Sequence, residues 1–234
     1  MKNTSQPHVA LIMDGNGRWA TMRSMPRWRG HIEGAKRLFE IVQAAAGVDI
    51  GCITAYAFSR DNWKRTSTEV SAILETIKRF VDDSQVMMER LRIRFVWIGS
   101  RVGLPPELQH SLDRAVGLTQ FNEGMQLCLA INYSSRQEIT HALISIVQEM
   151  APGEHVHPTR RDMQFHRQFY WPDMPQVDLL IRTSGEQRLS DFLMWQAAYS
   201  DLTFVPDLWP DFTASQFIDI FGKWKLSSQR TSTG

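Results

Sequence analysis

Short, nearly unbroken apolar runs recur along the chain, separated by longer stretches in which apolar residues return every three or four positions. HVALIM (8–13), CITAYAF (52–58), IRFVWIG (93–99), MQLCLAINY (125–133) and VDLLIRT (177–183) are continuous rather than alternating, the pattern of strands buried on both faces. Val70, Ile73, Leu74, Ile77, Phe80 and Val81 follow helical spacing, as do Ile139, Ala142, Leu143, Ile146, Val147 and Met150. Strand and amphipathic helix repeated five or six times predicts an α/β domain with a mostly parallel sheet between helices. Ligands of such sheets bind beyond the carboxyl ends of the strands, so chemistry is sought there.

Three strand ends are rich in charge and hydroxyl groups. The first run ends in Asp14-Gly15-Asn16-Gly17-Arg18-Trp19, followed by Arg23, Arg27, Arg29 and His31, with a helix expected from about Gly34. The glycines and the helix start suit an oxyanion, and six Arg or Lys face two acids between Asp14 and Arg37, a balance matched to a diphosphate. A plain glycine turn with solvated arginines reads the same residues blandly. The loop is no Walker motif, and no acid sits where a dinucleotide fold needs one. Asp14, at the end of a buried strand, suits magnesium held jointly with substrate phosphates, and equally a helix cap or a salt bridge to Arg18. The second run ends in Phe58-Ser59-Arg60-Asp61-Asn62-Trp63-Lys64-Arg65 and the fifth in Arg182-Thr183-Ser184-Gly185-Glu186-Gln187-Arg188-Leu189-Ser190. Arg182, Arg188 and Ser190 could grip a second anion from across one cleft. Asp201 is a second candidate metal carboxylate.

The 234 residues, 43% hydrophobic and 22% charged, suffice for one domain with a sizeable core. A net charge of +1 gives no drive toward nucleic acid or membrane surfaces. The apolar runs are too short for a signal peptide core or a membrane span. Cys52 and Cys128 fall in buried strands without metal spacing, which predicts a reduced, cytoplasmic protein. Residues 1–7 and 225–234 read as flexible tails, and the loop at 151–158, with His155 and His157, as a bland connection.

MDGNGRWA (13–20), RGH (29–31), FSRDNWKR (58–65) with Glu69, NYSSRQEI (132–139), and DLLIRTSGEQRLSDFLMWQ (178–196) with LWPDF (208–212) resemble, in order, the signature blocks of the cis-prenyltransferases, the undecaprenyl diphosphate synthase family. The resemblance covers nearly the whole chain. It implies a six-stranded parallel sheet with flanking helices, a hydrophobic tunnel opening at the strand ends, a homodimer, Mg2+ as cofactor and small isoprenoid diphosphates as substrates. By position it makes Asp14 the magnesium carboxylate, with Gly15, Asn16, Gly17, Arg18, Arg27 and His31 around the allylic diphosphate. Phe58, Ser59, Asn62, Trp63 and Arg65 then correspond to the loop over the substrates, with Glu69 beside it, Ser59 and Asn62 lying nearest the chemistry. Arg182, Arg188 and Ser190 correspond to the second diphosphate's grip.

Four departures from the family pattern change the expectation. Asp201 stands where Glu is usual, shorter by about 1.5 Å. Ser134 and Ser135 replace paired glycines, and FGKWKLSSQRTSTG lacks the family's C-terminal arginine-x-glycine element. Phe80 occupies a tunnel position that is small in long-chain members. Together they favour a short-chain synthase that joins two allylic diphosphates head-to-middle, giving a lavandulyl-type skeleton. A regular short-chain synthase using isopentenyl diphosphate is the alternative. A non-catalytic partner subunit fits less well, because DGNGRW is present.

Overall fold

The computed structural model describes residues 6–149 and 165–231; Met150 and the 151–158 loop lie outside them. The expected α/β architecture is present. Six strands, β1 (His8–Ile12), β2 (Cys52–Ser59), β3 (Arg94–Ile98), β4 (Gln126–Tyr133), β5 (Leu179–Arg182) and β6 (Asp201–Phe204), form one sheet in the order β3-β4-β2-β1-β5-β6, every neighbouring pair parallel. β1, β4 and β5 are buried along almost their whole length, as continuous apolar runs require, and both cysteines are buried and free.

Helices flank the sheet, among them α1 (Asn16–Met22), α2 (Arg27–Ala45), α3 (Ser67–Asp83), α4 (Gln85–Arg90), α5 (Pro106–Thr119), α6 (Ser135–Glu149) and α7 (Ala214–Thr231). The helix expected from Gly34 begins earlier, at Arg27 behind Pro26, and a separate short α1 already starts at Asn16. α7 carries the chain as helix to Thr231, with Lys225 donating to Asp49 at 2.6 Å, so residues 225–231 are helix; the rest of that expected tail, 232–234, and residues 1–5 of the other lie outside the described residues. α3 starts where Thr66 caps it, its hydroxyl accepting from the Glu69 N–H at 3.3 Å, and turns Val70, Ile73, Leu74, Ile77, Phe80 and Val81 inward as the spacing predicts. α6 is different. Ala142 is buried, but Leu143 and Val147 from the same predicted stripe are exposed.

Strand order fixes where a ligand can go. β1 is followed on one side by β2 and, after a long excursion, gains β5 on its other side. The switch in direction opens a crevice beyond the carboxyl ends of β1, β2 and β5.

Candidate active site

The three charged strand ends converge in that crevice. A cleft of about 300 Å³ is lined by Asp14, Gly15, Asn16, Gly17, Arg18, Arg27 and His31 after β1, by Tyr56, Ser59, Asp61, Asn62 and Arg65 around the end of β2, and by Arg182 and Ser190. Four guanidinium groups thus face two carboxylates. Gly15, at φ 104°, makes the sharp exit from β1, and a side chain on Gly17 would collide with the Arg27 guanidinium, 2.5 Å from the added carbon.

Asp14 is the best anchored of these groups. Its backbone N–H donates to the Thr183 hydroxyl at 3.0 Å, and that hydroxyl donates to the Asp14 carbonyl at 2.8 Å. Arg182 Nη2 donates to Asp14 Oδ2 at 2.7 Å, while Nη1 donates to the Ser190 hydroxyl at 2.7 Å and to the Arg188 carbonyl. Arg18 lies 3.5 Å from Asp14 Oδ1 and donates to the Ser184 hydroxyl. Burial alone would raise the Asp14 carboxyl, but the bonded Arg182, helped by Ser184 and Arg18, outweighs it and holds the group below the ordinary carboxylate range. Asp14 is therefore ionised. A lone ionised carboxylate beside open phosphate donors suits magnesium, and among the described residues no three acidic, His or Cys side chains meet to form a fuller metal cage. Arg182 Nε and Asn16 Oδ1 are buried without hydrogen-bond partners.

On the far wall Glu69 gathers the cations. Arg65 donates to it at 2.6 Å, Arg27 at 3.3 Å, and His31 Nε2 lies 3.5 Å away. Burial tends to raise the Glu69 carboxyl, yet Arg65 and Arg27 bring it down overall. Burial, reinforced by Arg65, lowers His31 to about 4 despite Glu69, so its ring is neutral near pH 7. Ser59 N–H donates to Asn62 Oδ1 at 2.9 Å, which leaves the Asn62 amide nitrogen as the group available to a substrate.

An apolar cavity of about 50 Å³ continues inward from the cleft between Met13, Ile73, Ile77, Phe80, Leu129 and Trp209. Phe80, Ala35 and Thr76 also border a groove of about 620 Å³ between α2 and α3. The Phe80 ring thus stands between the two spaces.

Several expected site residues are elsewhere. Asp201 begins β6 in register with Leu179, and through it with Val9 of β1, five residues short of Asp14, so it lies roughly 16 Å down the sheet from Asp14 at the strand's amino end. There it accepts the Trp224 indole N–H at 2.7 Å, and within one chain it cannot share a metal with Asp14. Phe58 is fully buried, packed edge-on at 5.2 Å against Trp63, and supports the loop from beneath. Trp63 donates to Asn132 Oδ1 and borders a neighbouring hollow together with Tyr56 and Ser190. Glu69 holds the arginines without lining the cleft. The Arg188 side chain pairs with Glu186, and only its carbonyl reaches Arg182. Tyr56, Thr183 and Ser184 join the site through contacts across strands that no single run of residues announces; the hydroxyls after Arg182 are the one signal in the sequence.

The fold and site define an α/β protein whose cationic cleft for phosphates opens directly onto an apolar chamber, the arrangement that a phosphorylated ligand with a hydrocarbon end requires. Residues 12–232 match the prenyltransferase family model described as "Putative undecaprenyl diphosphate synthase". An isoprenyl transferase of Agrobacterium fabrum is 40% identical over 223 residues, covering 95% of this chain and 90% of the relative. The crystal structure of lavandulyl diphosphate synthase from Lavandula x intermedia in complex with dimethylallyl diphosphate is similar at a TM-score of 0.88, with 32% identity over 94% of this chain and 95% of that one. A "probable undecaprenyl diphosphate synthase" of Campylobacter jejuni gives 0.75, with 25% identity over 94% and 95%. The chain belongs to the undecaprenyl diphosphate synthase family, the cis-prenyltransferases, and is a prenyltransferase enzyme.

Proposed function

We propose that this prenyltransferase makes a short, branched product by joining dimethylallyl diphosphate head-to-middle to a second molecule of the same kind. Phe80 carries the short-chain part, because it closes the apolar cavity at about 50 Å³, far below the roughly 300 Å³ or more of pockets that enclose drug-sized ligands. The likeness at 0.88 to a lavandulyl diphosphate synthase, against 0.75 for the Campylobacter protein, supports the irregular coupling. So does the commitment of Asp201 to Trp224.

The first diphosphate lies over Gly15, Asn16 and Gly17 and meets Arg18, Arg27 and, through its neutral ring, His31. Arg182 and Ser190 receive the second. Mg2+, held by Asp14 and substrate oxygens, would neutralise charge on the departing diphosphate. The arginines stabilise the same charge where it develops as the C1–O bond breaks, and Asn62, which lines the cleft, would offer its amide nitrogen to the leaving oxygen. C2 of the second molecule forms the new bond to C1, leaving a tertiary cation at C3. A methyl group then loses its proton to an oxygen of the released diphosphate, and an isopropenyl branch results. The apolar wall of Met13, Ile73 and Leu129 keeps water from the cation.

A regular short-chain synthase using isopentenyl diphosphate is the second reading, favoured by the 40% identity to an isoprenyl transferase. Turnover of each pair of diphosphates, with products identified by mass spectrometry, separates the two. A ten-carbon product from dimethylallyl diphosphate alone supports the first, and an absolute need for isopentenyl diphosphate supports the second. The exposed Leu143, Ile144 and Val147 on α6 further support a homodimer, for which sedimentation at twice the chain mass is the test. Among the described residues no helix is long and apolar enough to cross a membrane.

A further inference from the structure

We infer that Ser134 and Ser135 are positioning residues that set the geometry of the second diphosphate site; this rests on the assignment of that site to Arg182 and Ser190. The loop carrying Ser190 is strained. Ser190, Asp191 and Leu193 all have left-handed backbone, at φ 50°, 63° and 45°, a conformation such residues keep only where their surroundings impose it. What imposes it is the junction of β4 and α6. The Ser134 hydroxyl donates to Asp191 Oδ2 at 2.5 Å, and the Met194 N–H donates to the Ser135 hydroxyl at 3.0 Å. The Ser135 N–H donates to the Asp191 carbonyl at 2.9 Å and the Arg136 N–H to Asp191 Oδ1 at 2.8 Å.

Of these four bonds the two backbone donations would survive in a chain with glycines at 134 and 135. The two hydroxyl bonds would not. Both serines are buried, so water does not replace what is lost. The held loop delivers the Ser190 hydroxyl to Arg182 Nη1 at 2.7 Å, and the same guanidinium grips Asp14. Movement of the loop therefore reaches the second diphosphate before it reaches the first, whose contacts come from β1, α1 and α2. Since a 1 Å displacement of a reacting group can alter rate about a hundredfold, the pins on this loop can choose which alkene carbon attacks.

The test is the Ser134→Gly/Ser135→Gly enzyme, assayed with whichever pair of dimethylallyl, geranyl and isopentenyl diphosphates the wild type couples. Glycine is well tolerated at a helix start, so folding should persist. The expected result is a KM for the second diphosphate raised about tenfold, the KM for the first unchanged, and an altered ratio of branched to linear product, with Ser134→Thr/Ser135→Gly recovering part of the effect. Unchanged second-substrate KM and product ratio in the folded variant, or an equal rise in both KM values, would overturn the inference. If the double variant does not fold, Ser135→Ala, which removes one oxygen, is held to the same two readouts. Ser190→Ala separates the two levels of the reading: no effect on the second substrate means that the site assignment itself is wrong, whereas an effect there with none in the double glycine variant rejects only the role of Ser134 and Ser135.

Discussion

Asp14 and Arg182 form the pair on which the cleft's electrostatics turn, and they respond to substitution differently from an exposed catalytic acid. The Arg182 side chain is 4% exposed, so Asp14→Ala leaves a buried guanidinium facing a gap as well as removing the carboxylate. The Ala variant is expected to lose activity by at least about a hundredfold and to be less stable by about 1–3 kcal/mol. Asp14→Asn keeps an oxygen for Arg182 and should lose the activity with little loss of stability. Paired turnover and urea-unfolding measurements check this. Near-normal turnover in Asp14→Asn, or full turnover in excess chelator, would remove Asp14 from the metal-holding role.

At the scale of elements, the proposed limit on product length rests on α3. Phe80 lines both the small inner cavity and the groove along α2, with Ala35 and Thr76 beside it, so Phe80→Ala should join the two and allow longer products when isopentenyl diphosphate is supplied. Losing a buried ring costs about 3–5 kcal/mol, here toward the lower end because one edge already borders the groove. Product length by mass spectrometry alongside a melting curve checks both, and an unchanged ceiling in a folded variant would move the barrier to Leu74 or Ile77. α3 was legible in the sequence because its apolar period is clean. β1 to β5 were legible as apolar runs. β6 was not, since an edge strand that is half exposed has no continuous run to betray it. Asp14 and Arg182 could be named from motif blocks, but that they bond each other follows only from the pairing of Ile12 with Arg182 across β1 and β5. The distance of Asp201 from Asp14 within one chain likewise follows only from strand register, since a residue's position in a motif does not say at which end of its strand it stands.

The molecule as a whole buries a titratable group far from the cleft that contributes to its acid stability alongside His31. His8 is fully buried at the start of β1, its ring bonded to the Pro175 carbonyl at 2.8 Å and the Thr54 hydroxyl at 2.7 Å. Burial lowers it to about 4, against the raising effect of the backbone at Pro175 and Gln176. Its folded value lies below its unfolded value, so the unfolded chain takes up the proton first. The stability is fully present above about pH 6.5 and is lost as pH falls toward 4, by about 3 kcal/mol. The nearby Asp178 carboxyl, raised by burial, works with the opposite sign and returns part of it at the acid end. Urea midpoints from pH 7.5 to 4 should fall steeply for the wild type and more gently for His8→Gln; parallel curves would assign the acid limb to other groups. Head-to-middle coupling by a short-chain enzyme is tested most directly by carbon NMR of the product formed from dimethylallyl diphosphate labelled at C1, with no other diphosphate present. The expected product has labelled C1 of one unit bonded to C2 of the other, beside an isopropenyl group. No product until isopentenyl diphosphate is added, and then a linear chain joined from C1 to C4, would contradict it.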